Sequence, residues 1–548
     1  MLGLLQYLRG RLVAYLASFA ALTSDAYAAT TKLLPPNSAG NLPCAFTLGR
    51  AVAALSVPVV LLGSASASAA TGAAPLSASA VQVIAVDLRS GGCTTSTLSA
   101  SSAPIEFVIA NHTRRVAAFT IARRRVSLGA HRSAKTFVRL SSGRYPYSCR
   151  PHGRGSLLIV AAADQHRIVV VTGADGRQHL ADRLTGAPFV PRGATYTRLG
   201  PESDGQQPDY HTTFTVGEYY AARADEQLAR MHRDGFNTVR VFLNGTCSAT
   251  CLGQPGGSLR ARYIANLIDF LRRAKANQLY VVVTMDYLPW VGHYNDLVPH
   301  VVSDYPTWQN NEVLTPIGVQ ANAAFFGELA QRLVDGGAPI DALLAYELRS
   351  EMVLNWNKPP LSLSSGVFIG ADGRSYDLSS LTEKKALVAN GTATFIDHAR
   401  NAIRTADPSA LVAIGFPVVG AQPFDEARAA IDLSSADFVD VHYYPNQFVP
   451  EASFAEAMAS DGVTGQQKKP IILGEFGAFQ HAYPTAAAAA DALVALQHES
   501  CSYGIAGWLL WTWDTTEQPD LWTAVDANGL LERALSPAQR PDPCGPSG

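Results

Sequence analysis

The sequence has little charge, no excess of either sign and no long hydrophobic segment. Charged residues make up 16% of the 548 residues, and 43 Lys and Arg against 45 Asp and Glu leave a formal net charge of -2. A nucleic-acid-binding protein normally carries a basic excess that neutralises phosphates, so this class is disfavoured. No apolar run reaches the ~18 residues typical of a membrane-spanning helix. Because 47% of the residues are hydrophobic, the composition predicts globular domains with substantial cores.

The first 74 residues have the composition of an export signal and leader region. Arg9 and Arg11 precede an apolar run over residues 12–22, which an Ala-Tyr-Ala sequence at 26–28 follows. A second candidate combines Arg50, an apolar run over 51–63 and small residues over 64–70. This order of features is typical of cleavable secretion signals, although 51–63 could instead form a short buried helix. Either signal predicts a secreted or periplasmic protein.

The cysteines favour the second signal, because cleavage near residue 69 would remove one of seven and leave six. An even number suits a compartment in which disulfides form. Six cysteines allow 15 connectivities. We favour the pairs Cys93–Cys149, Cys247–Cys251 and Cys501–Cys544, with Cys44 removed.

Residues 75–172 alternate short β-like runs with turn residues. Runs rich in Val, Ile and Phe cover residues 81–88, 105–110, 116–121, 136–140, 157–161 and 168–171. Six short strands in so short a segment favour a small all-β sandwich. The stretch over residues 126–160, which ends in Ser-Gly-Arg-Tyr-Pro-Tyr-Ser-Cys-Arg-Pro-His-Gly-Arg-Gly-Ser-Leu-Leu-Ile-Val (142–160), resembles the C-terminal half of cupredoxins. The resemblance implies a cupredoxin-like domain.

The cupredoxin resemblance supplies only part of a copper site. In that family the Cys and His of this stretch bind copper together with an upstream His and a weak axial Met. Cys149 and His152 match the first two ligands. Phe119 occupies the region of the upstream His, and no methionine lies between Met1 and Met231. We therefore expect a structural or docking domain, with a copper electron-transfer protein as the alternative.

Beyond this segment, helical patterns alternate with short apolar runs. We predict a connector over 173–189 and a catalytic domain over 190–540. Predicted strands cover 190–197, 238–244, 280–286, 343–351, 411–417, 438–444, 470–477 and 505–514, with helices at 221–234, 263–277, 322–335, 393–405 and 486–498. Eight such units predict a (β/α)8 TIM barrel. An open doubly wound sheet is the alternative, but the Gly-rich phosphate turn typical of that fold is missing.

Catalytic residues of such a barrel lie at the carboxyl ends of its strands. The sequence places there Arg240, Asp286, Glu351, His442, Tyr444, Glu475, Trp511 and Trp513. In a glycosidase, one carboxyl group protonates the leaving oxygen, another attacks or activates water, and aromatic rings stack on the sugar. One such Glu alone is more commonly a salt-bridge partner or a helix cap. The combination favours a glycosidase.

Four strand ends resemble clan A glycoside hydrolases, most closely the cellulase/mannanase-type family 5. The matching segments are Ala-Tyr-Glu-Leu-Arg-Ser-Glu (345–351), Val-His-Tyr-Tyr-Pro (441–445), Leu-Gly-Glu-Phe-Gly (473–477) and Gly-Trp-Leu-Leu-Trp-Thr-Trp (507–513). The resemblance extends in strand order over residues 183–534. It implies a retaining O-glycosyl hydrolase that cleaves a poly- or oligosaccharide, of β-glucan or β-mannan type, without a metal or organic cofactor.

The resemblance also implies roles for individual residues. Glu351 would be the general acid/base and Glu475 the nucleophile. Arg240 and Tyr444 would hold Glu475 ionised and oriented. His442 would line the site. In addition, Trp511 would stack on the sugar beside the cleaved bond.

Two positions depart from the family pattern. Ser350 stands where the family usually has an Asn that hydrogen-bonds the sugar 2-hydroxyl, and strand 3 ends in Met-Asp-Tyr (285–287) without the His often found there. Ser350 also suggests an alternative function, a catalytically silent carbohydrate-binding protein on the same barrel. Glu347 is expected to point into the barrel as a buried ion-pair partner.

Two long insertions without clear secondary structure, residues 287–321 and 352–390, are expected to determine specificity. Their exposed aromatic residues would form sugar-binding platforms, although about half would only pack the loops down. The candidates are Trp290, His293, Tyr294, Tyr305, Trp308, Trp356, Phe368 and Tyr376.

Overall fold

The structure is a computed structural model that describes residues 82–544 apart from short gaps. The gaps are residues 96–98, 102–104, 123, 139, 141–142, 151, 161–164, 199–210, 244–249, 299–308, 418–422, 448–451 and 515–519. The predicted leader, Cys44 and Cys247 lie outside the described residues. Among the helices that are described, none is both long enough and apolar enough to cross a membrane.

The first part of the described chain is a β-sandwich, as predicted. Its strands are β1 (Gln82–Arg89), β2 (Gly92–Thr95), β3 (Ser99–Ser101), β4 (Ile105–Asn111), β5 (Ala117–Ile121), β6 (Arg124–Leu128), β7 (Ser133–Val138), β8 (Gly143–Arg150) and β9 (Arg154–Val160). They form two sheets, ordered β2-β1-β4-β7 and β3-β9-β8-β5-β6. Phe107, Phe119 and Tyr147 pack between the sheets with ring centroids 5.4 to 5.7 Å apart.

Two of the predicted disulfides are confirmed. Cys93 is bonded to Cys149 across the sandwich, and Cys501 is bonded to Cys544 near the end of the chain. Cys251 is also disulfide-bonded. Since the Cys149 sulfur is part of a disulfide, it cannot serve as the thiolate that a copper site needs.

One strand assigned to the sandwich belongs elsewhere. The run predicted at 168–171 is β10 (Ile168–Thr172), and among the described strands it pairs with β11 (Gln178–Asp182) alone, in a separate hairpin. Ile168 and Leu180 are buried in a cluster with residues from the barrel interior. This cluster includes Val282 and Leu344 near the amino ends of their strands. The hairpin therefore covers the amino-terminal end of the barrel and lies partly within the segment predicted as a connector.

Eight parallel strands close a barrel, which confirms the predicted fold. In barrel order they are β12 (Arg192–Thr195), β13 (Thr238–Leu243), β14 (Tyr280–Met285), β15 (Leu343–Glu347), β18 (Val412–Phe416), β19 (Phe438–Tyr443), β20 (Ile471–Phe476) and β21 (Ile505–Leu510). A hairpin of β16 (Val367–Ile369) and β17 (Ser375–Asp377) follows β15. All eight predicted barrel strands are present, most of them shorter than predicted because the site-bearing ends are irregular.

The helices surround the barrel, and their apolar faces pack on the outside of the strands. They are α1 (Ala221–Arg233), α2 (Ala261–Ala276), α3 (His293–Leu297), α4 (Gln309–Leu314), α5 (Pro316–Asp335), α6 (Leu381–Ala406), α7 (Asp425–Asp432), α8 (Phe454–Asp461), α9 (Ala486–Ser500) and α10 (Asp526–Leu535). The expectation that both insertions lack secondary structure is wrong. The first contains α3, α4 and the start of α5, and the second contains the β16–β17 hairpin and the start of α6.

Candidate active site

The carboxyl ends of the barrel strands bring the predicted site residues together. They are Arg240 on β13, Ser350 and Glu351 just after β15, His442 on β19, Tyr444 just after it, Glu475 on β20 and Trp511 just after β21. In β13, Val239 and Val241 pack outward against the helices. Alternation along the strand turns Arg240 inward, where it is fully buried. His442 and Glu475 are direct neighbours across β19 and β20.

Arg240 contacts three side chains at once, those of Glu475, Ser350 and Glu347. Its Nη1 donates to Oε1 of Glu475 at 2.6 Å, its Nη2 to Oγ of Ser350 at 2.9 Å, and its Nε to Oε2 of Glu347 at 2.7 Å. The predicted ion-pair role of Glu347 is confirmed. Burial alone would lower the pKa of this guanidinium, but the surrounding carboxylates raise it well above its usual range. The charged, planar guanidinium thus fixes three side chains.

Glu475 is surrounded by hydrogen-bond donors, and its side chain is only 6% exposed. Ser350 Oγ donates to Oε1 at 3.2 Å, and the Tyr444 hydroxyl donates to Oε2 at 2.7 Å. His442 Nδ1 lies 3.3 Å from the same Oε2. Burial and the negative charge of Glu475 raise the pKa of Tyr444 well above its usual range. Tyr444 therefore keeps its proton and remains a donor, and both oxygens of Glu475 are held in place.

Glu351 differs from Glu475 mainly in its exposure, because 42% of its side chain is accessible to solvent. Its Oε1 lies 3.0 Å from His442 Nδ1, and its main-chain carbonyl accepts a 3.0 Å hydrogen bond from Gln309 Nε2. One oxygen of Glu351 and one of Glu475 lie within 4.8 Å of each other. An exposed carboxyl group that faces a buried one is suited to exchange protons with water.

Asp440 is a site residue that the sequence analysis did not single out. It is 1% exposed, and its Oδ1 accepts a 2.6 Å hydrogen bond from the Gly474 main chain and lies 3.7 Å from His442 Nε2. Residue 474 must be glycine, because a Cβ there would lie 1.7 Å from Asp440 Oδ2. The sequence does indicate this position, because Asp440 lies two residues before His442 on β19. Residues two apart in a strand share a face, so both point into the barrel.

The protonation of this buried cluster follows from its geometry. Burial raises the pKa of Glu347 to about 8, with Asp440 adding to the effect and Arg240 opposing it. At Asp440, burial is outweighed by His442 and Arg240, and the pKa is lowered. At His442, burial is outweighed by Glu475 and Asp440, and the pKa is raised well above its usual range. Within this cluster Glu347 is therefore the carboxyl group that takes up a proton most readily, whereas Arg240 and His442 stay positively charged.

Within the part of the chain that the structure describes, two sets of side chains bring potential metal-ligand atoms within 4.8 Å of one another. They are Glu347, Asp440 and His442, and Glu351, His442 and Glu475. Both sets include His442, whose Nδ1 already lies 3.0 Å from Oε1 of Glu351 and 3.3 Å from Oε2 of Glu475. Arg240 already supplies positive charge at 2.7 Å from Glu347. The geometry therefore favours a carboxylate–guanidinium cluster over a metal centre.

The two tryptophans after β21 have different environments. Trp511 packs edge-to-face on Phe242 with ring centroids 5.5 Å apart, clusters with Tyr444 and is 4% exposed. Its role in stacking on the sugar stays a prediction. Trp513 is fully buried and donates from Nε1 to Gln227 at 2.9 Å. The expectation that Trp513 belongs to the site is therefore wrong, and it is a core residue.

A histidine that the sequence analysis did not single out lies beside the third strand. His211 stacks on Phe242 with centroids 4.0 Å apart, and its Nε2 lies 3.3 Å from Oδ2 of Asp286. The sequence gives little indication of this contact, because His211 lies far from Asp286 along the chain and outside the barrel strands. The predicted position of Asp286 at this rim is confirmed, and its side chain is 32% exposed.

The first insertion anchors the segment that carries Ser350 and Glu351. Arg349 is fully buried, and it contacts Glu312 of α4 and donates to Oδ1 of Asn322 at 2.8 Å. The main-chain nitrogen of Ser350 donates to the carbonyl of Met285 at 2.8 Å. These contacts fix the backbone on both sides of Ser350, so the segment that carries Glu351 is supported by one buried ion pair and two hydrogen bonds.

Several insertion aromatics pack the insertions down. Tyr294, Phe368 and Tyr376 are each at most 5% exposed. Tyr294 packs edge-to-face on Phe325 and donates to Glu328 at 2.6 Å. These three residues are therefore not sugar platforms. Tyr305 and Trp308 lie outside the described residues.

The family model described as Cellulase (glycosyl hydrolase family 5) matches residues 200–516. This match covers more than half of the chain and includes every site residue predicted from the sequence. The chain belongs to glycosyl hydrolase family 5. The family predicted for residues 183–534 is thus confirmed.

Solved structures with a similar fold include other glycosidases. An endo-1,4-beta-mannanase from Rhizomucor miehei is 14% identical, covers 68% of this family 5 enzyme and 100% of its own chain, and superposes with a TM-score of 0.49. The exo-beta-1,4-mannosidase Op5Man5 from Opitutaceae bacterium strain TAV5 is 18% identical, covers 68% and 62% of the two chains, and has a TM-score of 0.47. A hyperthermophilic endocellulase from Pyrococcus horikoshii is 10% identical, with coverages of 68% and 99% and a TM-score of 0.42. Among curated proteins, no sequence matches the chain.

Proposed function

We propose that this family 5 enzyme hydrolyses β-glycosidic bonds of a poly- or oligosaccharide with retention of anomeric configuration. In this proposal Glu475 is the nucleophile and Glu351 is the general acid/base. The observation that carries it is the closeness of the two carboxyl groups: one oxygen of each lies within 4.8 Å of the other, and both groups contact His442 Nδ1, at 3.0 and 3.3 Å. Retaining enzymes place these groups ~5–5.5 Å apart, whereas inverting enzymes leave ~6.5–9.5 Å for a water molecule.

The hydrogen bonds of each carboxyl group support this division of roles. Arg240 and Tyr444 hold the two oxygens of Glu475 for attack on the anomeric carbon. As that bond forms, the leaving oxygen departs with a proton from Glu351. The same carboxylate then removes a proton from water, which attacks the covalent glycosyl-enzyme and releases Glu475.

The substrate is proposed to be of β-glucan or β-mannan type, in line with the cellulase description of the family. Ser350 bears on the choice, because its hydroxyl is buried and already contacts both Arg240 and Glu475. It therefore has little capacity left to bind the sugar 2-hydroxyl, which is equatorial in glucosides and axial in mannosides. We expect dinitrophenyl β-glucoside and β-mannoside to differ less than about tenfold in kcat/KM, since no strong contact separates them.

We further propose that the enzyme acts outside the cytoplasm, in the periplasm or after secretion. The leader pattern over residues 1–74 supports this localisation. Disulfides at Cys93–Cys149 and Cys501–Cys544 also support it, since such bonds persist mainly in oxidising compartments.

The assignment is tested by Glu351→Ala and Glu475→Ala, with Glu226→Ala on the exposed face of α1 as the matched control. A substrate with a good leaving group needs little protonation, so Glu351→Ala should still form the covalent intermediate and then hydrolyse it slowly. Azide should accelerate this variant and yield a β-glycosyl azide from a β-glycoside. With Glu475→Ala, azide should give the inverted, α-configured azide.

The control should retain full activity, because Glu226 is 66% exposed and its ion pair is with Arg223 of the same helix. Equal loss of activity on good and poor leaving groups in Glu351→Ala would contradict its role as the acid/base. If no substrate in a panel of aryl glycosides and polysaccharides is hydrolysed by the unmodified protein, the proposed activity is wrong and binding without turnover is favoured.

A further inference from the structure

The charge of the β-sandwich is very different from that of the whole chain. Residues 82–160 contain eleven Arg and one Lys but only one Asp and one Glu, whereas the whole chain has a formal net charge of -2. Both carboxylates are already paired. Asp87 lies 2.9 Å from His112 and 3.6 Å from Arg89, and Glu106 pairs with Lys135. The remaining arginines of the sandwich have no carboxylate within their own domain.

Many of these arginines meet at one end of the sandwich. We define this basic end as residues 89–92, 112–116, 129–132, 150 and 152–154. Its exposed basic side chains are Arg89, Arg114, Arg115, Arg132, Arg150 and Arg154, together with His112, His131 and His152. One acidic residue, Asp87, adjoins the basic end, where it pairs with Arg89 and His112.

Hydrogen bonds hold these loops side by side. The main-chain nitrogen of His112 donates to the carbonyl of Leu88 at 2.9 Å, and that of Asn111 donates to the carbonyl of Arg132 at 2.9 Å. The Asn111 side chain, which is 2% exposed, donates to the carbonyls of Arg115 and Gly129 at 2.8 Å. The disulfide between Cys93 and Cys149 ties down the strands beside them. The backbone of the loops that carry the arginines is therefore held in place.

The basic surface continues onto the outer face of the five-stranded sheet. There, Arg154 is opposite Ser148, Ser148 is opposite Thr120, and Thr120 is opposite Arg125. This row therefore has an arginine at each end and two small hydroxyl side chains at its centre. Such a face admits an extended chain that carries both anionic groups and hydroxyl groups.

The basic end points away from the barrel. At the other end of β8, Arg144 contacts Gln331 and lies 3.8 Å from Asp335, both on α5. Arg150 is six residues further along β8, which corresponds to about 20 Å at the rise of a strand. A ligand at the basic end would therefore not obstruct the contact between sandwich and barrel.

We propose that the basic end of the sandwich binds an acidic polysaccharide whose carboxylate groups pair with its arginines. Guanidinium groups bind carboxylates through two parallel hydrogen bonds, so clustered arginines suit a polymer with regularly spaced carboxylates. The proposal depends on the glycoside hydrolase assignment only for the choice of a carbohydrate partner. It does not depend on the proposed roles of Glu351 and Glu475.

Other polyanions fit the surface less well. Single-stranded nucleic acids are held partly by aromatic side chains on which bases stack, and the basic end has no Phe, Tyr or Trp. Binding to a lipid surface is strengthened by apolar side chains that enter the bilayer, and Val116 is the single large apolar residue of the basic end. A carbohydrate partner would also keep the barrel close to polysaccharide.

The test is binding of the full-length protein to polygalacturonate, with uncharged dextran as the matched neutral polymer. We expect binding to polygalacturonate that weakens as NaCl is increased, and no binding to dextran. The variant Arg114→Gln/Arg115→Gln/Arg150→Gln/Arg154→Gln should bind about tenfold more weakly, the sum of four exposed ion pairs. Arg233→Gln/Arg262→Gln, which changes exposed arginines on barrel helices, should bind like the unmodified protein.

Thermal unfolding would show whether the fourfold variant is folded, and the two pairs of substitutions can be made separately if it is not. All variants should hydrolyse a small aryl glycoside at the unmodified rate, so a failed binding test and a failed activity test remain distinct. Unchanged affinity of the folded variants would overturn the proposal. Tighter binding to DNA or to phosphatidylglycerol vesicles than to polygalacturonate would overturn the choice of partner.

Discussion

Arg240 Nη1 and Glu475 Oε1 lie 2.6 Å apart at the bottom of the candidate active site. The same guanidinium donates to Glu347 and Ser350 through its other two nitrogens. One residue from the second barrel strand thus positions groups that follow or belong to the fourth and seventh strands. This relationship explains why a fully buried charge is retained in the barrel.

The first prediction concerns Arg240→Lys. A lysine keeps the charge but can reach only one of the three partners, so Glu475 should lose its fixed orientation. We expect kcat/KM to fall by about 100-fold, the scale of losing one oriented donor at a reacting group. Steady-state kinetics and thermal unfolding on the same samples check this. Full activity in the folded variant would contradict the positioning role of Arg240.

A second prediction distinguishes the roles of Glu347 and Asp440, the two buried acidic residues next to Arg240 and His442. If Glu347 carries the proton, Glu347→Gln preserves both its shape and its charge, and kcat should change less than about threefold. Asp440→Asn removes a negative charge next to His442 and should lower kcat by about tenfold or more. It should also move the alkaline limb of the kcat profile to lower pH, because His442 loses a group that raises its pKa. The opposite ranking of the two variants would show that the proton resides on Asp440.

The third prediction is a pH dependence of stability. Since the pKa of His442 is raised on folding, its protonated form stabilises the fold fully below its unfolded value of about 6.5. This stabilisation is lost as the pH rises through the folded value. The difference in unfolding free energy between the unmodified protein and His442→Gln should therefore shrink above pH 6.5, by at most about 1.4 kcal/mol per pH unit. Urea unfolding between pH 6 and 9 measures it, and parallel curves would contradict the raised pKa.

The fourth prediction concerns the disulfide of the sandwich, which links cysteines 56 residues apart. Cys93→Ser/Cys149→Ser should destabilise this domain by about 2–4 kcal/mol, because the unfolded chain is no longer constrained. The kcat on a small aryl glycoside should be unchanged, since the site lies within the barrel. Thermal unfolding followed by activity measurements separates the two effects. A large loss of kcat in the folded variant would show that the sandwich contributes to catalysis.

The barrel could be predicted almost completely from the sequence. Its strands are short apolar runs between helical patterns, and the carboxyl ends of eight such strands must lie at one end of a closed barrel. Arg240, Glu351 and Glu475 were therefore predicted together although they are far apart in sequence. Asp440 was not singled out, because only the last residues of each strand were considered as site residues. It lies two positions before His442, on the same face of β19.

The sandwich was predicted less well, for two physical reasons. No strand is predicted over the β8 segment Gly-Arg-Tyr-Pro-Tyr-Ser-Cys-Arg, whose proline cannot donate a ladder hydrogen bond and is disfavoured in central strands. The run at 168–171 was recognised as a strand but assigned to the wrong sheet. Alternation of apolar residues identifies a strand, whereas only tertiary contacts decide which sheet it joins.

The stereochemical course of hydrolysis tests the central claim most directly. The unmodified enzyme would be mixed with a dinitrophenyl β-glycoside, and the first product formed would be observed by proton NMR before its anomers equilibrate. The account predicts that the β-anomer appears first, because two displacements at the anomeric carbon restore its configuration. Initial formation of the α-anomer would contradict it, since a single displacement by water leaves no role for Glu475 as a covalent nucleophile.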